Sequence, residues 1–302
     1  SSPGIVDATN LLGSVTARFV SNGSNQPAGW VAIVGCTGTL SQTVWTGASN
    51  SAWTQVSNWT NNCISPSCAV DVLLAPAPIN PRISGNVSAR NVIIAAGAEL
   101  NLLANSSLTI CGNFENYGSL VMDPTAIIIF QNSTSVQYMR GSMIGPNALG
   151  NLLIQKTAGL VQLEDSLELK GNFTSLDSTS VFNSNGKHLR IGGNFQNAFG
   201  DLTYQNSTIA GGIEFNGSGL QLYSPGGNIV FNEVYMNNTG PGILLSGYDL
   251  QIGSTGSLSL ASGSINSGPQ EVKILSTSTS SILGGSSGCY IVGNLRRHLS
   301  GL

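Results

Sequence analysis

Three stretches of this chain use one phrase: Leu108-Thr-Ile110-Cys-Gly112-Asn113-Phe114, Leu167-Glu-Leu169-Lys-Gly171-Asn172-Phe173 and Leu189-Arg-Ile191-Gly-Gly193-Asn194-Phe195. Each is a strand-like alternation that breaks at a Gly-Asn-Phe corner, and the second returns as the third after 22 residues, from Gly171 to Gly193. A recurrence at that period is the signature of one rung in a stacked solenoid. Like residues stack on like in such a coil. Asn113, Asn172 and Asn194 are therefore expected to contribute to a polar ladder, while Phe114, Phe173 and Phe195 fill the core.

A longer echo contains the short one. Ile127-Ile128-Ile129-Phe130, followed by Gln137 and Tyr138, recurs as Gly212-Ile213-Glu214-Phe215, followed by Gln221 and Tyr223. Val161, Leu163, Leu167 and Leu169 find counterparts in Ile243, Leu245, Leu250 and Ile252. The offset holds at about 83 residues, which reads as a tandem duplication over approximately 127–210 and 212–295, one copy making roughly four rungs.

Alternating runs such as Val70 to Leu74, Asn91 to Ile94 and Leu120 to Met122 are separated by Gly, Asn, Asp or Pro, and no segment carries a sustained helical stripe with caps. The chain is expected to be all-β. Asn22-Gly23, Asn185-Gly186 and Asn216-Gly217 favour local hairpins, so tandem β-sandwiches stand as the alternative. The constant corner and the duplication favour a right-handed parallel β-helix preceded by a short antiparallel segment. About ten rungs at ~4.8 Å make a rod of roughly 50 Å.

Charged residues are only 8% of the 302, against about a quarter in ordinary globular domains. With 41% apolar residues the chain can bury a large core. A net charge of -3, with Arg296-Arg297 as the only adjacent basic pair, argues against nucleic acid, which needs a concentrated basic face. No apolar run is long enough for a membrane helix. The opening at Ser1, without an apolar leader, reads as a processed or excised product.

Five cysteines leave at least one outside an intramolecular pair. Cys63-Ile-Ser-Pro-Ser-Cys68 is a short loop whose ends can meet, making Cys63 and Cys68 the candidate disulfide. Zinc is the weaker reading, because His188 and His298 are remote in sequence and Cys36, Cys111 and Cys289 are scattered. No cofactor or metal site is expected. Disulfides would place the chain outside the cytoplasm.

All four tryptophans, Trp30, Trp45, Trp53 and Trp59, fall in the first 75 residues. Trp45, Trp53 and Trp59 serve either as a plug on the end of the core or as a stacking surface for sugar, and capping is favoured. β-Helices also host polysaccharide lyases and hydrolases that use paired carboxylates. The acidic cluster Glu164, Asp165 and Glu168 alternates with core positions Leu163, Leu167 and Leu169, which points to a solvated face rather than to calcium binding or catalysis. His188, beside Lys187 and Arg190, reads as an exposed strand residue. No enzyme site can be picked out.

The stretch Ser14-Val-Thr-Ala-Arg18-Phe19 through Asn22-Gly23 to Trp30-Val-Ala32 and Cys36 resembles the last two strands of a CUB-like domain. The Trp45 to Trp59 phrase, Asp71-Val72, Gly97-Ala98-Glu99-Leu100, the Gly-Asn-Phe rungs and Tyr290-Ile-Val-Gly293-Asn-Leu-Arg296-Arg297 are similar to large surface proteins of Bacteroidetes exported by the type IX secretion system. The resemblance implies a repetitive extracellular solenoid in an adhesin or surface fibre, part of a longer polypeptide, and names no catalytic residue. It also implies that Asp177-Ser178-Thr179 can carry an O-glycan on Ser178. One departure is Ser14, where the family has a cysteine, which leaves Cys36 without its expected local partner.

The expected organisation is thus 1–37 as the tail of a CUB-like domain, 38–75 as a Trp-rich linker or cap, and 76–302 as the repeat domain. The expected function is an extracellular structural rod, surface fibre or adhesin stalk that self-assembles end to end by strand complementation. A carbohydrate-binding module and a polysaccharide-processing β-helix are the alternatives. The expected partners are copies of itself, neighbouring domains or a cell-surface polysaccharide, with no nucleic acid and no membrane span.

Overall fold

The computed structural model describes residues 41–60, 65–131, 135–176, 180–197 and 209–299. The expected CUB-like strands of 1–37, with Cys36, lie outside that set. The described chain is all-β, a β-solenoid of about nine turns built from parallel sheets. In Glu99–Leu102, Ile127–Gln131 and Gln221–Ser224 alternate side chains are buried. Single strands this short cannot stand alone, so each turn is stabilised by the next. Parallel pairing removes the tandem-sandwich alternative. It begins at Gln42–Val44 against Asp71–Leu74, inside the segment expected to be linker or cap.

Each full turn visits three faces in the same order. Face 1 stacks Gln42–Val44, Asp71–Leu74, Val92–Ile94, Phe114–Asn116, Gln137–Gly141, Gly159–Leu163 and Ser180–Asn183, and by chain order 229–231, 250–252 and 271–274 lie on the same side. Face 2 stacks Arg82–Ile83, Glu99–Leu102 and Ser119–Met122. After a turn where Met143 and Leu149 make only single bridges to Leu167 and Leu169, it resumes with Leu167–Leu169, Leu189–Ile191, 213–215, 233–236, 257–260 and Ile282–Gly284. Face 3 stacks Asn86–Ala89, Ser107–Ile110, Ile127–Gln131, Asn151–Gln155, Phe173–Ser175, Phe195–Asn197 and Gln221–Ser224, then 243–245, 264–266 and 291–292. Because Ile229–Leu245 and Leu250–Ile274 run around corners as continuous strands, faces 2 and 3 join in one hydrogen-bonded network.

Inside the coil, side chains stack in columns. Phe173 lies on Phe195 with ring centroids 5.2 Å apart and an interplanar angle of 12°, and Phe195 lies on Tyr223 at 5.5 Å and 21°. All three are fully buried. Each such ring contributes about 2–3 kcal/mol over an exposed one.

Two corners hold the polar ladders. Between faces 3 and 1, the Asn113 amide N–H donates to Asn91 Oδ1 at 2.7 Å, and the Tyr138 N–H donates to Asn113 Oδ1 at 2.9 Å. Between faces 2 and 3, Asn172 N–H donates to Asn151 Oδ1 at 2.8 Å, Asn194 N–H to Asn172 Oδ1 at 2.7 Å, and Leu222 N–H to Asn194 Oδ1 at 2.7 Å. The three Gly-Asn-Phe phrases therefore split: Gly112-Asn113-Phe114 enters face 1, whereas Gly171-Asn172-Phe173 and Gly193-Asn194-Phe195 enter face 3. The glycines are explained by the same contacts. A Cβ on Gly112, Gly171 or Gly193 would run into the side-chain amide of Asn91, Asn151 or Asn172, one turn below. The requirement is room for the neighbouring asparagine, since none of the three has a left-handed backbone.

Each ladder ends in a buried glutamine where the next turn takes a longer path. Gln137 Nε2 donates to the carbonyls of Ile110 and Gly112, and Gln221 Nε2 donates to those of Ile191 and Gly193. The series Asn91, Asn113, Gln137 thus reappears as Asn172, Asn194, Gln221, which carries the sequence echo upstream to Asn91. The two copies sit on different corners. Ile128 and Phe130 point inward on face 3, while their counterparts Ile213 and Phe215 point inward on face 2. The duplicated block is not four turns but four turns less one face, so the second copy is rotated to the preceding face. The repeating unit of this solenoid is one face plus one corner.

Candidate functional site

The three tryptophans among the described residues form a plug. Trp45, Trp53 and Trp59 are at most 2% exposed, with Trp59 edge-on to Trp45 at 5.0 Å and to Trp53 at 4.9 Å. Trp45 Nε1 donates to the Ile79 carbonyl at 2.7 Å and Trp59 Nε1 to that of Trp53 at 2.8 Å. No ring face is open for a sugar to stack on, and the cluster packs on Val72, Leu74 and Ile83 at the first described turns.

The cysteine expectation needs correction. Cys68 is bonded to Cys111, with Cα atoms 5.3 Å apart, so Cys63 is not its partner. Cys111 occupies the corner between faces 3 and 1, directly before Gly112. Proximity in sequence favoured Cys63, whereas the coil brings Cys68, just before Asp71–Leu74, together with Cys111, just before Phe114–Asn116, across two turns and a separation of 43 residues. Cys63 and Ser178 lie outside the described residues. Cys289 is a free, buried thiol.

The outward charges that do exist are concentrated on faces 1 and 2. On face 2 the register stacks Glu168, Arg190, Glu214, Tyr235 and Ser259 in one row. Arg190 Nε lies 3.0 Å from Glu214 Oε2, and its Nη1 lies 3.8 Å from Glu168 Oε2. His188 Nε2 is 3.2 Å from Glu214 Oε2, and Asn237 Nδ2 donates to Glu214 Oε1 at 2.8 Å. Burial of Glu214 works to raise its pKa, but the hydrogen bonds from Asn237 and His188 and the Arg190 charge outweigh it and hold the carboxyl below its ordinary range. Glu214 is therefore a carboxylate at neutral pH with both oxygens engaged. It is poorly placed to give a proton or to attack.

His188 is not the exposed strand residue expected from its basic neighbours. Gly212, between them in the stack, lets the His188 and Tyr235 rings meet over its Cα, with centroids 5.3 Å apart. Around this notch Ile144, Ser166, Met236 and Ala261 help line a shallow cleft of about 380 Å³. The acidic cluster is dispersed in function: Asp165 accepts from the Gly141 N–H at 2.7 Å, Glu168 from the Gly145 N–H at 2.9 Å, and Glu164 from the Gln162 amide. Each carboxylate ties one part of the surface to another. Among the described residues no group of His, Cys, Asp and Glu is arranged to hold a metal ion, and no helix is long and apolar enough to cross a membrane.

Sequence reasoning missed Lys156. It is fully buried, its Nζ donates to the Ser135 carbonyl at 3.1 Å and to Gln137 Oε1 at 2.5 Å, and burial pushes its pKa down to about 8. A lone lysine after Asn151–Gln155 carries no sequence signal of burial. It fills the corner below which Gln137 ends the first ladder.

Compared with protein-family models, with curated proteins and with solved structures, the chain matches none.

Proposed function

We propose that this chain is a stretch of an extracellular structural rod, a surface fibre or adhesin stalk, extended end to end by strand addition on its last described coil. The observation that carries the reading is Leu295. It continues the buried column of Val272, which is 0% exposed, yet is itself 48% exposed. Among the described residues, Ile282–Gly284 and Ile291–Arg297 pair only with the preceding long strand, so the last described coil offers both core cross-section and backbone groups for a further coil, from this chain or another copy, to stack on. Such edges template association unless covered.

The economy of the polar groups supports the same reading. Asparagines, glutamines and carboxylates are committed to tying one turn to the next, as a load-transmitting rod requires. The Cys68–Cys111 disulfide supports an oxidising compartment, in keeping with export to a bacterial surface of the kind the resemblance implies. Among the described residues the Gly212 cleft is a candidate place for saccharide binding, and the engaged state of Glu214 favours recognition there over hydrolysis.

Purified protein is expected to form fibres with rising concentration, seen by electron microscopy and light scattering. Leu295→Lys should abolish them by placing a charge in the open core. A monodisperse monomer at high concentration with no fibres sinks the end-to-end reading.

A further inference from the structure

Face 3 differs from its neighbours in charge. Among the described residues no charged side chain projects from any of its strands, whereas face 2 carries Glu168, Arg190 and Glu214 and face 1 carries Glu115 and Arg140. The outward positions of face 3 are Ser, Thr, Asn, Gln and aliphatic residues. Apart from Val292 on the last described turn, the aliphatic ones form two patches. Ile127, Ile129 and Leu153 lie on adjacent turns, and Leu222 and Leu244 lie on two later adjacent turns, next to Leu220, which is 59% exposed. Between the patches come two polar turns, with Thr174 and Gln196 outward.

We propose that face 3 is the contact surface for a second copy of this chain, packed side by side and antiparallel about a two-fold axis. An axis lying in the face between the turns of Thr174 and Gln196 reverses the order of turns. It sets Ile127, two turns before Thr174, opposite Leu244, two turns after Gln196. The same operation brings the Leu153 turn over the Leu222 turn, with the two leucines meeting diagonally from neighbouring columns, and Thr174 over the partner's Gln196. The pattern is self-complementary, as an isologous interface requires.

A second copy is favoured over a polysaccharide because the two patches and the turns between them present no outward aromatic ring on which a sugar could stack, Tyr290 lying two turns beyond Leu244 at the last described turn, and over a charged partner because there is nothing on the strands to pair with. Ten strands at ~4.8 Å and about 10 Å of width give roughly 500 Å² per copy, or about 1,000 Å² in total, at the boundary of weak specific association. The dimer is therefore concentration-dependent. This contact is distinct from the end-to-end one, and its test separates them.

Sedimentation equilibrium from micromolar to millimolar concentration, on protein carrying Leu295→Lys to block the ends, should show a monomer–dimer equilibrium. Leu222→Lys or Ile129→Lys should weaken it by about a hundredfold, since the two-fold places each charge twice in an apolar contact. The thermal midpoint of each variant, unchanged, reports that the coil is intact. A chain carrying both Ile127→Cys and Leu244→Cys should oxidise to a covalent dimer, because within one chain these positions are five turns, ~24 Å, apart; either substitution alone should not. A wild-type face that stays monomeric throughout, a dimer indifferent to the lysines, or retention on an insoluble polysaccharide that Leu222→Lys removes while the chain remains monomeric would overturn the proposal.

Discussion

The corner between faces 3 and 1 and the corner between faces 2 and 3 are built from one pattern and fastened differently. Asn91, Asn113 and Gln137 at the first do what Asn172, Asn194 and Gln221 do at the second. At the first corner, however, Cys111 is bonded to Cys68 and the closing Gln137 accepts from the buried Lys156. At the second, no disulfide is present among the described residues, and the closing Gln221 accepts from the neutral Asn238 amide at 2.8 Å and the Gly217 N–H at 3.0 Å. The shared part is what a corner needs in order to stack. The differing part is local reinforcement, and it is where the two copies should respond differently to perturbation.

The largest expected difference comes from the disulfide. Closing a 43-residue separation is worth about 4 kcal/mol in the chain-entropy treatment. Reduction, or Cys111→Ser, should lower the thermal midpoint accordingly, and hydrogen exchange should quicken around Asn91 and Asn113 before Asn172 and Asn194. Equal quickening at both corners would mean that the disulfide acts on the whole coil.

Next in size is the pair of closing glutamines. Gln137→Leu strands two carbonyls and leaves the buried Lys156 cation with the Ser135 carbonyl as its remaining named partner, for a cost of about 3 kcal/mol, whereas Gln221→Leu strands only neutral groups, for about 1–2 kcal/mol. Denaturant midpoints decide it. Equal costs would show that Lys156 finds other partners.

The same lysine gives a pH dependence. Its folded pKa, about 8, lies below its ordinary value of 10.5, so between those values the unfolded chain binds the extra proton and stability rises with pH. Below about pH 8 the penalty is fully present. Tyr117 and Tyr235, raised by hydrogen bonds to Glu115 and Glu233, act in the opposite sense near the top of this window. The difference between wild type and Lys156→Met isolates the lysine: the stability of wild type relative to the variant should rise as pH goes from about 8 to 10.5 and be flat below pH 8.

The smallest contrast is an expected equality. Asn113→Ala and Asn194→Ala each remove one acceptor from the N–H of Tyr138 or Leu222, and each should cost about 1–2 kcal/mol. A difference greater than the error of the two midpoints would break the equivalence of the ladders.

The coil itself was legible in the residues, because alternation, a fixed period and a corner phrase are local signals. The core roles of Phe173 and Phe195 followed from the same alternation. The frame of the repeat was not legible. An offset near 83 residues fits four turns of 20-odd residues as readily as four turns less one face, and only the register distinguishes them. The fourth member of the second ladder, Gly150-Asn151-Leu152, shows the Gly-Asn pair without the phenylalanine, and Asn91 follows Arg90 where the later rungs have glycine. Each was hidden by one substitution. The Cys68–Cys111 bond, the burial of Lys156 and the meeting of His188 with Tyr235 all join residues brought together by stacking, over separations that carry no periodic signature.

The rotation of the duplicated block is tested most directly by distance. In the register, Ile129, Leu153, Thr174, Gln196 and Ser224 form one outward row, so spin labels on Ile129 and Ser224 are four turns, ~19 Å, apart along a single face. Glu214, the sequence counterpart of Ile129, projects from face 2. Pulsed electron–electron distance measurements should find Ile129–Ser224 shorter than Ile129–Glu214. If the copies instead stack after a whole number of turns, Ile129–Glu214 will be the shorter pair, and the unit of one face and one corner will be wrong.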